Sequence, residues 1–251
     1  MRPNLSRAMR VWLRHLKVYQ KLYLSSLTLN FVEPVLYLTA MGFGLGAYVT
    51  SIEGVPYLNF IAPGVVAYSA MFAASAECSY GTYVRMTYQK TFDAIMATPV
   101  NLPDLVLGEI LWGATKATLY GTIIIVVISA MGLVGSPMIA LALPVLFIGG
   151  FLFASMAVVY AALVPGIDYF NYYFTLVITP MFLFSGVFFP LTGLPDFVRQ
   201  VAFFMPLYHL VSTMRELAGG AVPLGHIAWL VGAGAVFAPL PFIVMRRRIL
   251  K

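Results

Sequence analysis

Long uncharged runs, each about as long as a membrane-crossing helix, recur along the chain. They fall at residues 27–49, 58–79, 105–131, 137–164, 170–190 and 222–245. About 20 apolar residues carry a helix across the hydrocarbon core, so the runs predict six spans. Those at 137–164 and 170–190 hold no charge, whereas the first three carry Glu33, Glu77, Glu109 and Lys116. Continuous helix-length runs exclude a closed β-barrel, which needs short segments of alternating apolar and polar residues.

Three stretches between or before these runs have patterns of their own. In residues 4–24, Leu5, Met9, Trp12, Leu16, Tyr19 and Tyr23 fall on one stripe at helical spacing, and Arg7, Arg10, Arg14, Lys17 and Lys21 fall opposite. This predicts an amphipathic helix in the membrane interface, its apolar face in the acyl boundary and its cations on lipid headgroups. In residues 83–99, Tyr88, Phe92, Ile95 and Met96 recur at helical spacing, Pro99 ends the pattern, and Asn101, Pro103 and Asp104 read as the next helix start. A short helix there would bury its stripe against this chain, another protein or the membrane surface. The third stretch runs from Met181 to Leu210. It is broken by Pro190, Pro195 and Pro206 and interrupted by Asp196, Arg199 and His209.

Composition fixes the solvent. The chain has 251 residues, 61% hydrophobic and only 10% charged, where a soluble domain carries about a quarter charged residues. With a mean hydropathy of +0.90, it reads as an all-α integral membrane protein of one domain, residues 1–251. Charge then sets the orientation. Twelve of the 15 Lys and Arg residues precede the first run, lie between the second and third, or end the chain. Cytoplasmic flanks retain such cations, so both termini are expected in the cytoplasm. Topology and anionic lipid thereby account for the net charge of +6, and no nucleic-acid partner is implied. The basic start continues in charge through Lys21, which does not fit a cleaved signal peptide. On this topology Pro190 reaches the outer face. Pro195, Phe203, Phe204, Pro206 and His209 then belong to a broken, re-entrant helical pair at 191–221, an outer gate.

Charges within spans tend to face protein or water. Pairing with the basic loops or reaching water at helix ends is the better account of Glu77 and Glu109. Glu33 and Lys116 fit a polar pathway as well as they fit such pairing. Catalytic chemistry is sparse. The one cysteine, Cys78, excludes an intramolecular disulfide and is expected to serve packing. His15, His209 and His226 lie apart in the sequence with no ligand cluster, so no metal site is expected. A membrane serine hydrolase would rest on Ser185 and His209 alone, and Ser185-Gly186 suits close helix packing better. A passive channel or scaffold fits the composition equally. No Gly-Lys pair occurs, hence no phosphate-binding loop of the Walker type. If ATP drives this protein, the ATPase is another polypeptide.

A resemblance emerges from the third stretch and extends upstream. In PMFLFSGVFFPLTGLPDFVRQVAFFMPLYHLVSTMRELAGG, residues 180–220, a span ends in S-G-x-x-F-P, and L-P, P-L-x-H and an Arg before glycines follow. This resembles the signature region of ABC-2 type exporter permeases. NFVEPVLYLTAMGFGLG from Asn30, PYLNFIAPGVVAYSAMF from Pro56, and RMTYQKTFDAIMATPVNLPDLVLGEILWGATKA from Arg85 resemble the nodulation protein J branch of that family, over nearly the whole chain. The resemblance implies the type V ABC exporter fold, with six spans per subunit and pairing with a second copy. It also implies two copies of a separate ATPase subunit that carries the ATP and Mg, no cofactor being bound by this chain.

Several site assignments follow from the family. Its members contact the ATPase through the amino-terminal helix, here Trp12, Arg10, Arg14 and Lys17, and through the segment between the second and third spans. Coupling thus falls on Gln89, Lys90, Phe92, Asp93, Met96 and Thr98. Spans one, two and five surround the dimer seam, which makes Glu33, Tyr37, Tyr172, Tyr173 and Phe182 candidates for the translocation path. The expected cargo is an amphiphile (a lipo-oligosaccharide, lipid or drug) moved outward across a bacterial inner membrane.

Overall fold

The computed structural model describes residues 3–249, without the side chains of 24–27 and 29–31. Arg2 and Lys251 of the cation tally, and the side chain of Asn30, lie outside that description. The chain is a bundle of helices with one small hairpin. In order these are α1 (Leu5–Gly44), β1 (Ser51–Ile52), β2 (Val55–Pro56), α2 (Tyr57–Ala76), α3 (Thr82–Thr87), α4 (Thr91–Met96), α5 (Leu102–Ala130), α6 (Ala142–Leu163), α7 (Phe170–Tyr173), α8 (Thr179–Phe184), α9 (Asp196–Phe203), α10 (Pro206–Gly219), α11 (Leu224–Phe237) and α12 (Leu240–Ile249).

Four stretches are long and apolar enough to cross a membrane: Tyr57–Tyr88, Leu102–Ala130, Pro137–Leu163 and Leu224–Ile249. They coincide with the second, third, fourth and sixth runs. The other two runs form shorter apolar helix. Val32–Ala47 is the far end of α1. The fifth run is helical over the 15 residues Phe170–Phe184, about 22 Å at 1.5 Å per residue against a core of about 30 Å. A π-helical turn at Phe174–Ile178 interrupts it just before Pro180, whose missing N–H disturbs the ladder at that point. Beyond Phe184 the chain leaves the helix, and Gly186, at φ 78, turns it back.

The N-terminal helix departs from expectation. It continues into the first apolar run as one helix of 40 residues, with Pro34 inside it, and its first turns pack along α5. The buried face is Ala8, Val11 and His15, with Trp12 and Tyr19 half-buried, whereas Leu5, Met9 and Tyr23 of the expected apolar stripe are exposed. Gly108 is the physical reason. A Cβ there would lie 2.6 Å from Val11 Cβ and 2.9 Å from the Ala8 carbonyl, so glycine lets the helices meet backbone to backbone. The outward face mixes Leu13, Val18 and Leu22 with Arg10, Arg14, Lys17 and Lys21.

Capping ties the starts of α1 and α5 together. The Asn4 side chain accepts the N–H groups of Ser6 and Arg7 and caps α1. The Asp104 carboxylate accepts the Asn101 N–H at 3.1 Å and, from across the interface, the Asn4 N–H at 2.6 Å. Arg7 adds an ion pair to Asp104 at 3.4 Å. Met96, Asn101 and Arg246 line one groove, which places the end of α12 at this same end of the bundle. The opposite end gathers the hairpin and the loops around residues 132–136 and 185–195: Thr192 donates to Glu53 at 3.1 Å, and Asn59 to the Leu133 carbonyl at 3.3 Å. Asn4 and Arg246 thus share one end with α4, and the expected gate sits at the other.

The core is built on small residues. Gly113, Ala117 and Gly121 of α5 recur every fourth position and face Ala154, Gly150 and Leu146 of α6 in antiparallel register. A Cβ on Gly113 would come 2.4 Å from Cys78 Sγ and 2.8 Å from Ala154 Cβ. Cys78 is fully buried against that glycine, in the packing role expected of it.

Candidate functional site

At the α4 end, five charged or titratable side chains from three helical segments form one network, with Glu109 and His15 buried and Glu77, Arg85 and Lys116 partly buried. Glu109 of α5 accepts from Arg85 at 2.6 Å and Thr82 at 2.8 Å, and its other oxygen lies 2.8 Å from His15 Nε2 of α1. Arg85 also bonds Glu77 at 2.7 Å, and the second Glu77 oxygen takes Lys116 Nζ at 2.7 Å. Glu77 opens the π-helical turn Glu77–Gly81 and Arg85 follows one helical turn after it, and both reach α5. Two carboxylates, Glu77 and Glu109, face two cations, Arg85 and Lys116, with His15 beside them. Such balance is what permits charge to be drawn away from bulk water. The expected pairing of Glu77 and Glu109 with a basic loop is thus met by Arg85. Lys116, placed on the same face as Glu109 by spacing, goes to Glu77 and lies over the Tyr19 and Tyr120 rings. His15 stacks on Trp112, and Trp12 donates to Thr115 at 2.9 Å.

Beside this network hangs the expected coupling segment. Phe92 is 1% exposed, Ile95 and Met96 pack half-buried on the core, and Lys90 takes a left-handed φ of 54 at the start of α4. Of the stripe read from sequence, only Tyr88 is left open. Phe92 is therefore the anchor that holds α4 and is closed to any partner. Gln89, Lys90, Asp93 and Thr98 present the exposed side.

The residues named for the path divide into two groups. Glu33, Tyr37 and Phe182 come together around Tyr68, which sequence reading missed. Tyr68 donates to Glu33 at 2.8 Å and stacks on Phe182 with centroids 3.9 Å apart. Tyr37 meets Tyr68, Phe182 and Phe188 edge-on or tilted. Glu33 has no ion-pair partner among the described residues and borders an open groove on α1 with Thr28, Val32 and Leu36. Tyr173 is buried elsewhere, against Tyr160 and Phe174, and Tyr172 is 60% exposed on the bundle surface.

At the opposite end, α9 and α10 form a helical pair parted at Phe204-Met205. Pro195 precedes the first helix and Pro206 opens the second, where a missing N–H costs nothing. Pro190 ends the turn after α8 and leads into a short 3₁₀ turn. Phe203 and Phe204 are exposed. His209 is buried and corrects the expectation that the histidines stand apart. Its Nδ1 lies 2.8 Å from His226 Nδ1, and its Nε2 donates to the Phe203 carbonyl at 2.7 Å. A carbonyl only accepts, so His209 carries its proton on Nε2 and receives the His226 Nδ1–H. Burial holds His209 below the ordinary imidazole value; the Phe203 bond opposes that shift and His226 adds to it. Ser185 points its hydroxyl to Met205 Sδ at 3.8 Å. Serine and histidine are each committed elsewhere, and no hydrolytic pair is assembled. Among the described residues, no group of three potential ligands is placed to hold a metal.

These ends enclose a cavity of about 730 Å³ between α9, α10, the hairpin and the turn after α8. Arg215 of α10 is its deepest cation. It donates to the Gly186 carbonyl at 2.8 Å and to the Phe60 carbonyl at 3.3 Å, and its guanidinium lies 3.8 Å over the Phe60 ring. Burial draws its pKa down to about 10, against the opposing influence of Glu53 and Tyr208. Sequence reading noted this arginine only as part of a motif, since nothing in its spacing shows that two carbonyls from distant segments converge on it.

Comparison with known proteins agrees with this architecture. The family model described as ABC-2 type transporter matches residues 8–218. Nodulation protein J of Sinorhizobium fredii is 40% identical over 244 residues, covering 96% of this chain and 93% of that protein. Nodulation protein J of Rhizobium meliloti is 41% identical over the same extent. The inner membrane transport permease YadH of Escherichia coli is 21% identical over 210 residues, 82% of this chain and 80% of that protein.

Proposed function

Because the chain belongs to the ABC-2 type transporter family, a family of membrane transport permeases, we propose that it is the permease subunit of an ATP-driven exporter for an amphiphile. Two copies would pair, and each would receive one copy of a separate ATPase that binds ATP and Mg. The six apolar segments act as six spans, with α9 and α10 half-inserted at the outer leaflet. Both termini and α4 face the cytoplasm of a bacterium, and the protein sits in the inner membrane. Clustering of the cations at the α4 end supports that orientation. For cargo, a lipo-oligosaccharide is the reading favoured by similarity to nodulation protein J, with a lipid or drug on the same scaffold as the other outcomes.

One observation carries the mechanism. The exposed face of α4 is bolted to the bundle by buried Phe92, and two turns upstream Arg85 is bonded to Glu77 and Glu109. A push delivered to Gln89, Lys90, Asp93 and Thr98 therefore cannot be absorbed locally. It passes through Arg85 into α5 and, by His15, into α1. Closing nucleotide domains would supply the push, and two packings of the bundle would alternate in response.

The test replaces only exposed charges. With the cognate ATPase co-expressed, Lys90→Glu combined with Asp93→Arg is expected to leave insertion and thermal stability intact. ATPase affinity should fall about tenfold or more, the effect of losing about 1.4 kcal/mol of contact energy. Undiminished ATPase binding and ATP-dependent export in this variant would overturn the coupling role of α4.

A further inference from the structure

The cavity at the gate end holds a cation that the permease reading does not use. Its lining includes four charges: Glu53, Asp196, Arg199 and Arg215. Asp196 and Arg199 pair with each other, and Glu53 accepts from Thr192. Arg215 has no carboxylate within ion-pair distance among the described residues, and its Nη1 makes no hydrogen bond. Two carbonyls and an aromatic face hold the guanidinium in place without neutralising it. A partly buried cation fixed this way is disposed to receive an anion, and the planar fork of arginine matches phosphate, sulfate and carboxylate oxygens. Gln200, Tyr208 and Ser212 add hydrogen-bonding groups around the same space, and exposed Phe203 and Phe204 add an apolar rim.

We propose that this cavity is a headgroup site in which Arg215 binds the anionic group, phosphate-like in chemistry, of an amphiphile leaving the bundle, while Phe203 and Phe204 contact the first carbons of its chain. The proposal rests on the permease reading and adds the charge of the cargo to it. Placement supports it. The turn after α8 gives its Gly186 carbonyl to Arg215 and sends Phe188 to the opposite side, onto Phe182 and Tyr37. One five-residue turn thus separates the Glu33–Tyr68 aromatic cluster from the cavity, and an amphiphile passing that cluster would meet Arg215 next. Glu53 across the cavity opposes an anion and sets a sign that can be measured.

The experiment is equilibrium binding to the full-length chain in nanodiscs of neutral phosphatidylcholine, without ATPase. The probes are dodecyl phosphate, inorganic phosphate and neutral dodecyl maltoside. Saturable binding of dodecyl phosphate is expected, weakened about tenfold or more by Arg215→Gln and strengthened by Glu53→Gln. Because Arg215→Gln also removes bonds to two carbonyls, Ser212→Trp serves as a second variant that fills the cavity and leaves those bonds in place. It too should weaken binding about tenfold or more, at unchanged melting temperature. Wild-type binding in both Arg215→Gln and Ser212→Trp would overturn the proposal, as would equal binding of dodecyl maltoside. Inorganic phosphate binding as tightly as dodecyl phosphate would overturn the amphiphile part, showing a free-anion site. With the ATPase added, wild-type export by the variants that lose binding would sink this site's role in the cargo route and spare the permease reading; a wild-type chain that binds dodecyl phosphate but exports nothing would do the reverse.

Discussion

Glu109→Ala is expected to destabilise the protein by about 3–5 kcal/mol, the range for stripping one partner from a buried ion pair. The alanine would strip Arg85, Thr82 and His15 of the carboxylate they share, at a position 1% exposed. The check is thermal unfolding in detergent, followed by loss of the monodisperse peak. A double substitution sharpens it. Glu109→Gln with Arg85→Met removes a charge of each sign, so the pair should destabilise by less than the two single changes added together. A single-mutant effect within about 0.5 kcal/mol, the usual size for surface positions, would show that the network contributes nothing.

Gly150→Leu is expected to disrupt the α5–α6 seam, at a cost above the about 1–3 kcal/mol usual for overpacking. The first atom added would lie 2.5 Å from Ala117 Cβ and 3.1 Å from Ala114 Cα, and backbone cannot give way as a side-chain tip can. Poor expression and a lowered melting temperature are the readouts. Gly150→Ala should be milder and partly rescued by Ala117→Gly, which removes its nearest contact but leaves Ala114. Wild-type stability for Gly150→Leu would mean that α5 and α6 are not packed at this register.

What sequence made legible here is what depends on runs and punctuation. Uninterrupted apolar length disclosed α5, α6 and the second and sixth runs, and the prolines disclosed the α9–α10 pair. The hairpin was missed although Glu53-Gly54 carries its turn signal, with both φ values positive, because two-residue strands have no periodicity to detect. The buried stripe of α1 was misplaced for another reason. A helical wheel ranks side chains by polarity, whereas Gly108 selects the face of α1 with the smallest residues, Ala8 and Val11. Phe92 was recognised as apolar and assigned to a partner; pattern alone cannot tell a residue that anchors its helix from one that offers itself outward. The His209–His226 contact and the convergence on Arg215 join residues through turns that sequence spacing does not measure.

The seating of Cys78 on Gly113 gives the chain a silent thiol. It is the one cysteine in 251 residues, it is fully buried, and its Sγ donates only to the Glu109 carbonyl at 3.5 Å. A cysteine placed at Lys90 or Phe204 would then label as the sole reactive site on each copy. Paired spectroscopic probes at those two positions could follow both ends of the bundle through a transport cycle, with no native residue to remove beforehand.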